Sequence, residues 1–135
     1  MDLMESLMIS AAGMRAQGQR LRVVAENLAN ADSVAEVPGG DPYRRKTISF
    51  KNQLDRELGM ETVKVQKVGE DPSDFRMKYD PGNPAADAKG YVKLPNVNSL
   101  IEMTDMREAQ RSYEANLKAI EVARNMLQRT IDLIR

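Results

Sequence analysis

Two clusters in the sequence hold the residue types that chemistry needs. The first is Asp80-Pro-Gly-Asn-Pro-Ala-Ala-Asp87, two carboxylates and an amide among prolines and a glycine. Grouped oxygens raise the question of Ca²⁺. A helix–loop–helix calcium site takes ligands at its first, third and fifth positions, glycine at the sixth and glutamate at the twelfth. Counted from Asp80, the third and fifth positions are Gly82 and Pro84, which offer no side-chain oxygen. The run reads instead as an Asx-type turn, in which a short polar side chain accepts from the backbone just ahead of it. The second cluster is Arg44-Arg45-Lys46. Contact with a nucleic acid or lipid is one reading. A solvated strand edge or a subunit contact is the stronger one, since nowhere else does the chain concentrate positive charge.

Other chemistry is excluded by composition. The 135 residues include no histidine, cysteine or tryptophan. That removes Cys/His zinc sites, thiol chemistry, iron–sulfur clusters and histidine acid–base catalysis. Neither G-x-G-x-x-G nor G-x-x-x-x-G-K-[ST] occurs, and paired carboxylates have no evident pocket framework around them. The expectation is a protein that is not an enzyme, with no catalytic residue, cofactor or metal. The 20 basic and 20 acidic residues balance overall. They also balance by segment, at three of each over 1–31, eleven of each over 32–98 and six of each over 99–135. A nucleic-acid partner is not expected, and near-zero net charge tolerates self-association.

The elements that position these clusters follow from periodicity. Residues 2–31 lack proline, and Leu7, Met14, Leu21 and Leu28 recur every seven residues. Leu3, Val24 and Ala31 fall on a companion line broken by Ser10 and Gln17. This is a helix with one apolar face, opened by Asp2 with Glu5 three residues on. Gly13 and Gly18 each cost roughly 1 kcal/mol against alanine inside a helix. Either another helix approaches closely there, or the glycines are merely tolerated. From Asn96 to Arg135 there is neither Gly nor Pro. Ser99 with Glu102 fits a capping box. Met106, Tyr113, Ile120, Leu127 and Ile134 repeat at seven, with Met103, Leu117 and Ile131 on the companion line. Between the helices lie all six prolines and six of the eight glycines. There, Thr62–Val68, Phe75–Tyr79 and Tyr91–Leu94 alternate as strands do. Tyr43–Phe50 is strand-like, and Leu54–Leu58 suits a helical turn. The expected fold is mainly α with a small β-rich insertion. Its two long terminal helices pair antiparallel as a coiled-coil-like stem, 1–31 and 99–135, around a middle segment of short strands and turns, 32–98.

Length decides what such helices are for. A helix over 99–135 runs about 55 Å at ~1.5 Å per residue. A compact domain of this size is roughly 37 Å across. The first helix, at roughly 45 Å, is too short to cover the apolar line of the second, so other chains must cover the remainder. The subunit-interface candidates are Leu7, Met14, Leu21, Val24 and Leu28, with Met106, Tyr113, Leu117, Ile120, Leu127 and Ile131. Methionines at 4, 8, 14, 103 and 106 suit adaptable packing there. No apolar run approaches the ~18–20 residues of a membrane span. The chain opens with acidic Asp2 and Glu5, and its first basic residue is Arg15, so no cleavable secretion signal is expected.

Three stretches are familiar together: Ser10–Ser33 (SAAGMRAQGQRLRVVAENLANADS), Tyr79–Asn98 (YDPGNPAADAKGYVKLPNVN) and Met106–Ile120 (MREAQRSYEANLKAI). The chain resembles the flagellar basal-body rod proteins over essentially its whole length. The second stretch and the short length are most similar to the proximal-rod family, FlgC. Asn83 stands where that family commonly has histidine, and Asp32-Ser33 where it has Asn-Thr. The resemblance implies a structural subunit that leaves through the flagellar type III export apparatus without signal cleavage. It implies helical assembly into the periplasm-crossing shaft that transmits torque, in the basal body. The implied partners are copies of itself, other rod proteins, the adaptor protein at the rod base and the export apparatus. Another axial protein of the same superfamily, or a generic coiled-coil adaptor, is the alternative. Since helices draw most of their stability from packing, the isolated subunit should show low helicity by circular dichroism, rising on assembly. A fully helical, cooperatively melting monomer would contradict this.

Overall fold

A computed structural model of the chain describes residues 2–56 and 59–134. The element order is α1 (Leu3–Ala29), β1 (Lys46–Asp55), β2 (Met60–Glu70), β3 (Arg76–Tyr79), β4 (Tyr91–Leu94) and α2 (Ser99–Ile134). The architecture is mainly helical with a small β insertion, as expected. Contacts divide it into two compact units. One comprises the described residues of Met1–Leu21, Ile48–Lys67 and Arg107–Arg135; the other comprises Arg22–Thr47 and Val68–Met106.

In the first unit α1 and α2 run antiparallel. Gly13 lies against Asn116, and Arg20 Nη2 meets Glu108 Oε2 at 3.4 Å. The residues buried here are small: Ser10, Ala12 and Ala16 from α1, Ala109 and Ala123 from α2. Small side chains let helix backbones approach, and Gly13 is the limiting case. A Cβ at Gly13 would stand 2.8 Å from Asn116 Nδ2, inside van der Waals contact. At Gly18 nothing lies within 4 Å. Close approach therefore accounts for Gly13, and Gly18 is the tolerated one. At the start of α1, the Asp2 backbone N–H donates to Glu5 Oε2 at 2.9 Å, one half of the expected capping box. β1 and β2 form a two-stranded sheet. Ser49 and Thr62 hydroxyls donate to the carbonyls of Lys67 and Gln53, both at 3.4 Å, which fixes an antiparallel hairpin. Val63 and Val65 turn inward and Lys64 and Gln66 outward, as their alternation requires. The helical turn expected from Leu54 does not begin there, since Leu54 and Asp55 belong to β1; the Gly59 N–H donates to the Asp55 carbonyl at 2.8 Å, and Glu57 and Leu58 lie outside the described residues.

In the second unit β3 pairs antiparallel with β4, Met77 opposite Lys93 and Tyr79 opposite Tyr91. Val92, Pro95 and Val97 are fully buried, together with Val23, Val24 and Ala31. The start of α2 departs from the expected capping box. Asn98 is the cap: its Oδ1 accepts from the Leu100 N–H at 3.1 Å, and its carbonyl accepts from the Glu102 N–H at 3.0 Å. Ser99 is the first helical residue. The Glu102 side chain is drawn away to a buried partner, so it cannot reach back to the cap.

The two glycines separate in a simple test. Gly18→Ala should stabilise the helix by about 0.5–1 kcal/mol through propensity alone. Gly13→Ala should give no such gain, because the new methyl displaces the Asn116 amide from its bond to the Ser112 carbonyl. Thermal melts followed by circular dichroism check both.

Candidate functional site

The second unit is organised around two buried polar side chains. Asn27, 1% exposed in the last turn of α1, uses its whole amide. Its Nδ2 donates to the Lys46 carbonyl at 2.8 Å and to Glu102 Oε2 at 3.1 Å. Its Oδ1 accepts from the Lys46 N–H and from the Tyr43 hydroxyl, both at 2.8 Å. Glu102 is fully buried, and Arg45 Nε donates to its Oε1 at 2.5 Å. A buried charge is tolerable only with such a partner and with its remaining lone pairs used. The Arg45 N–H in turn donates to Asn96 Oδ1 at 2.8 Å, and Asn96 Nδ2 donates to the carbonyls of Asp71 and Ser73 at 3.1 Å.

This network absorbs the basic triplet. Arg44 Nη1 donates to the carbonyls of Asp71 and Ser73, and its guanidinium lies 4.3 Å over the Phe75 ring. Lys46 Nζ pairs with Glu26 Oε1. The triplet is thus an internal clamp and not a solvated strand edge, because a carboxylate, a carbonyl pair and an aromatic face all stand within reach of it. Arg45 is held above its ordinary pKa: burial opposes the charge, but Glu102 and then Asp71 outweigh it. Asp71 is held low, first by the Ser73 N–H and hydroxyl and then by Arg45.

The acidic turn spends its oxygens on backbone. Asn83 Oδ1 accepts from the Ala85 N–H at 3.0 Å. Asp87 Oδ1 accepts from the N–H groups of Lys89 and Tyr91 at 2.8 and 2.9 Å. These are the expected Asx turns, and the Tyr91 N–H is the leading reason that the Asp87 carboxyl is held low. Gly90, at φ +84°, lets the chain double back against the Tyr79 ring.

The eleven interface candidates separate by exposure. Val24, 2% exposed, is packed within its own chain. Leu7, Met14, Leu21, Leu28, Met106, Tyr113 and Ile120 are half-buried. Leu117, Leu127 and Ile131 are exposed. The fully buried residues of α2 are Glu102, Ala109 and Ala123, on a different heptad line from Met106–Ile134. In α1 the buried side chains are Ser10, Ala12, Ala16, Val23, Val24 and Asn27, of which Ser10 and Val24 belong to the companion line. The sequence reading missed Asn27, Asn96 and Glu102 as organising residues. The available signal was their position: Glu102 and Asn27 each fall on a helix face that is otherwise small and apolar.

The result is a pair of helices joined through small and polar residues, with rows of large apolar residues left outside, the arrangement of an axial assembly protein. A family model described as "Flagellar basal body rod FlgEFG protein C-terminal" matches residues 88–133. The chain is 57% identical over 127 residues to "Flagellar basal-body rod protein FlgC" of Agrobacterium fabrum, covering 94% of this chain and 91% of that protein. Identity to the protein of the same name is 44% in Salmonella typhimurium, over 98% of both chains. In Bacillus subtilis it is 40%, over 98% of this chain and 99% of that one. The chain belongs to the FlgC family of flagellar basal-body rod proteins.

Tyr43 makes the network measurable. Burial, then the charges of Glu26, Glu102 and Glu70, push its pKa up to about 12 from the usual 10.0. The folded state therefore holds the phenol proton more tightly than the unfolded state. The stabilisation is fully present below pH 10 and is lost as pH rises through about 12. Phenolate absorbance should show a late phase near that value, and Tyr43→Phe should abolish it.

Proposed function

We propose that the chain is a structural subunit of the proximal rod of the flagellar basal body, without enzymatic activity. Its two terminal helical segments, 1–31 and 99–135, act as one assembly domain, and 32–98 is an excursion between them. Subunits associate helically, each copy covering apolar rows that the others leave open, to build the shaft that crosses the periplasm and transmits torque. A contact between unlike surfaces repeats without closing and gives a filament. Densely packed axial helices supply the shear stiffness that a drive shaft requires. Its partners are copies of itself, the other rod proteins and the adaptor protein at the rod base. The subunit reaches the rod through the flagellar export apparatus. Among the described residues no helix is long and apolar enough to cross a membrane.

The observation that carries this reading is the exposure of Leu117, Met126, Leu127, Ile131, Leu133 and Ile134 along a single helix. Leu117, Leu127, Ile131 and Ile134 fall within about 100° of one another around the helix, and an exposed apolar face of this kind marks an interaction site. The expected interface comprises Leu7, Met14, Leu21, Leu28, Met106, Tyr113, Leu117, Ile120, Leu127 and Ile131, with Val24 supporting them from within.

Leu127→Asp tests it. Leu127 is 38% exposed, so a charge there keeps access to water in the isolated subunit and must be desolvated further on association. The variant should be exported normally and fail to assemble, leaving cells non-motile. Swimming cells would sink the proposal, and so would a subunit that forms only a defined dimer in light scattering, the behaviour of a coiled-coil adaptor.

A further inference from the structure

The small sheet of the second unit has two unlike edges. Where β3 runs on past Tyr79, the Asp80 N–H donates to the Gly90 carbonyl at 2.9 Å, and this fixes which way the other backbone groups of the ladder point. The N–H and C=O groups of Arg76 and Lys78 face Leu94 and Val92. Those of Met77 and Tyr79 face away from β4. On β4 the corresponding groups of Tyr91 are closed by the chain itself. The Tyr91 N–H donates to Asp87 Oδ1, and the Tyr91 carbonyl accepts from the Asp87 N–H, both at 2.9 Å. On β3 there is no such closure. Among the described residues the backbone groups of Met77 and Tyr79 have no partner, and all four residues of the strand are exposed.

An open edge of this kind is a template for one more strand. The side chains determine what that strand must carry. Met77 and Tyr79, 54% and 63% exposed, share the outward face with Tyr91. Arg76 and Lys78 lie on the opposite face, with buried Val92. Arg76 is spent on its own chain, donating to the carbonyls of Pro95 and Ala31 at 3.0 Å. Lys78 is exposed and has no ion pair among the described residues. A second copy of β3 fits this edge badly. Antiparallel pairing centred on Lys78 opposes two lysines, and pairing centred on Met77 opposes Arg76 and Lys78. Pairing centred on Tyr79 sets Pro81, which has no N–H, against Met77.

We propose that the outer edge of β3 takes an extended segment of another protein as a third, antiparallel strand, with apolar residues opposite Met77 and Tyr79 and an acidic residue opposite Lys78. Main-chain bonds supply the attachment, and the alternation of side chains supplies the choice of partner. The inference concerns the second unit alone and does not depend on the rod reading.

Amide hydrogen exchange on the full chain reads the edge directly. In the free chain Lys78 should exchange slowly and Met77 and Tyr79 fast. Fast exchange at Lys78 as well would mean that no sheet stands ready, and the inference fails. The probe is a synthetic peptide alternating valine and glutamate. It should slow exchange at Met77 and Tyr79 several-fold, and a valine–lysine peptide should bind several-fold more weakly. Lys78→Glu should invert that preference. Met77→Pro removes an outward N–H and spares the bonds to β4, so it should lose the peptide while Lys78 stays slow. A control on the peptide itself needs no variant to fold. N-methylation at its valines, whose N–H groups face β3, should abolish binding, and N-methylation at its glutamates should not. No protection by the glutamate peptide, equal binding of both peptides, or indifference to which nitrogens are methylated each overturns the inference. So does protection of Met77 and Tyr79 that grows with protein concentration alone, since the occupant is then a second copy.

Discussion

Two helices can be joined by large apolar side chains or by small ones, and this chain uses the small ones. Its intramolecular helix contact is closest at Gly13 against Asn116, and the side chains buried in the same unit are the small ones of Ser10, Ala12, Ala16, Ala109 and Ala123. Each side chain there removes little apolar area from water. At ~25 cal/mol per Å², such a seam contributes far less than a leucine-lined one. It does bring the backbones close, which large residues would prevent. It also leaves the leucines, isoleucines and methionines on other faces. The location of the exposed apolar rows is thus a consequence of how the helices pair.

The second unit solves a different problem. An irregular segment near the end of a helix carries backbone N–H and C=O groups that must find partners. Asn27 satisfies both backbone groups of Lys46, and Asn96 satisfies the Arg45 N–H and the carbonyls of Asp71 and Ser73. Glu102 joins Asn27 to Arg45 with one carboxylate. A buried ion pair of this kind adds little net stability over an apolar substitute, but losing one partner costs several kcal/mol, about 3–5. Such a network specifies one arrangement of the segment more than it strengthens it. The exposed Tyr79–Tyr91 edge-to-face pair, with ring centroids 5.2 Å apart, stands on the outward face of the small sheet in this same unit.

Much of this was legible in the sequence, for identifiable reasons. Both helices were, since the seven-residue spacing and the absence of proline leave few alternatives. So were β2, β3 and β4, from their alternation, and the Asx turns, from residue type. The direction in which each helix faces was harder to read. Hydrophobic periodicity points to the large residues, and of these Leu117, Leu127 and Ile131 are left exposed. The inward line is marked instead by alanine, glycine and serine, which look like interruptions until a partner helix is in place. The cap at Asn98 was misread for a related reason. Ser99 and Glu102 satisfy a local pattern, but Glu102 is claimed by Asn27 and Arg45, which lie 75 and 57 residues away in the chain. No local pattern contains that competition.

The exposed rows also bear on how assembly proceeds. Burying Met126, Leu127, Ile131, Leu133 and Ile134 would contribute ~1–2 kcal/mol each, or roughly 5–10 kcal/mol together. Bringing two molecules together costs an estimated 4–15 kcal/mol in lost rigid-body freedom, before side chains are ordered. One such contact is therefore near balance. A subunit entering a lattice makes several contacts while losing that freedom once, so each contact after the first adds almost its full value. On the proposed assembly, such a subunit would join firmly only where an existing end offers more than one neighbour. Placing small residues inside and large ones outside produces that threshold from packing alone.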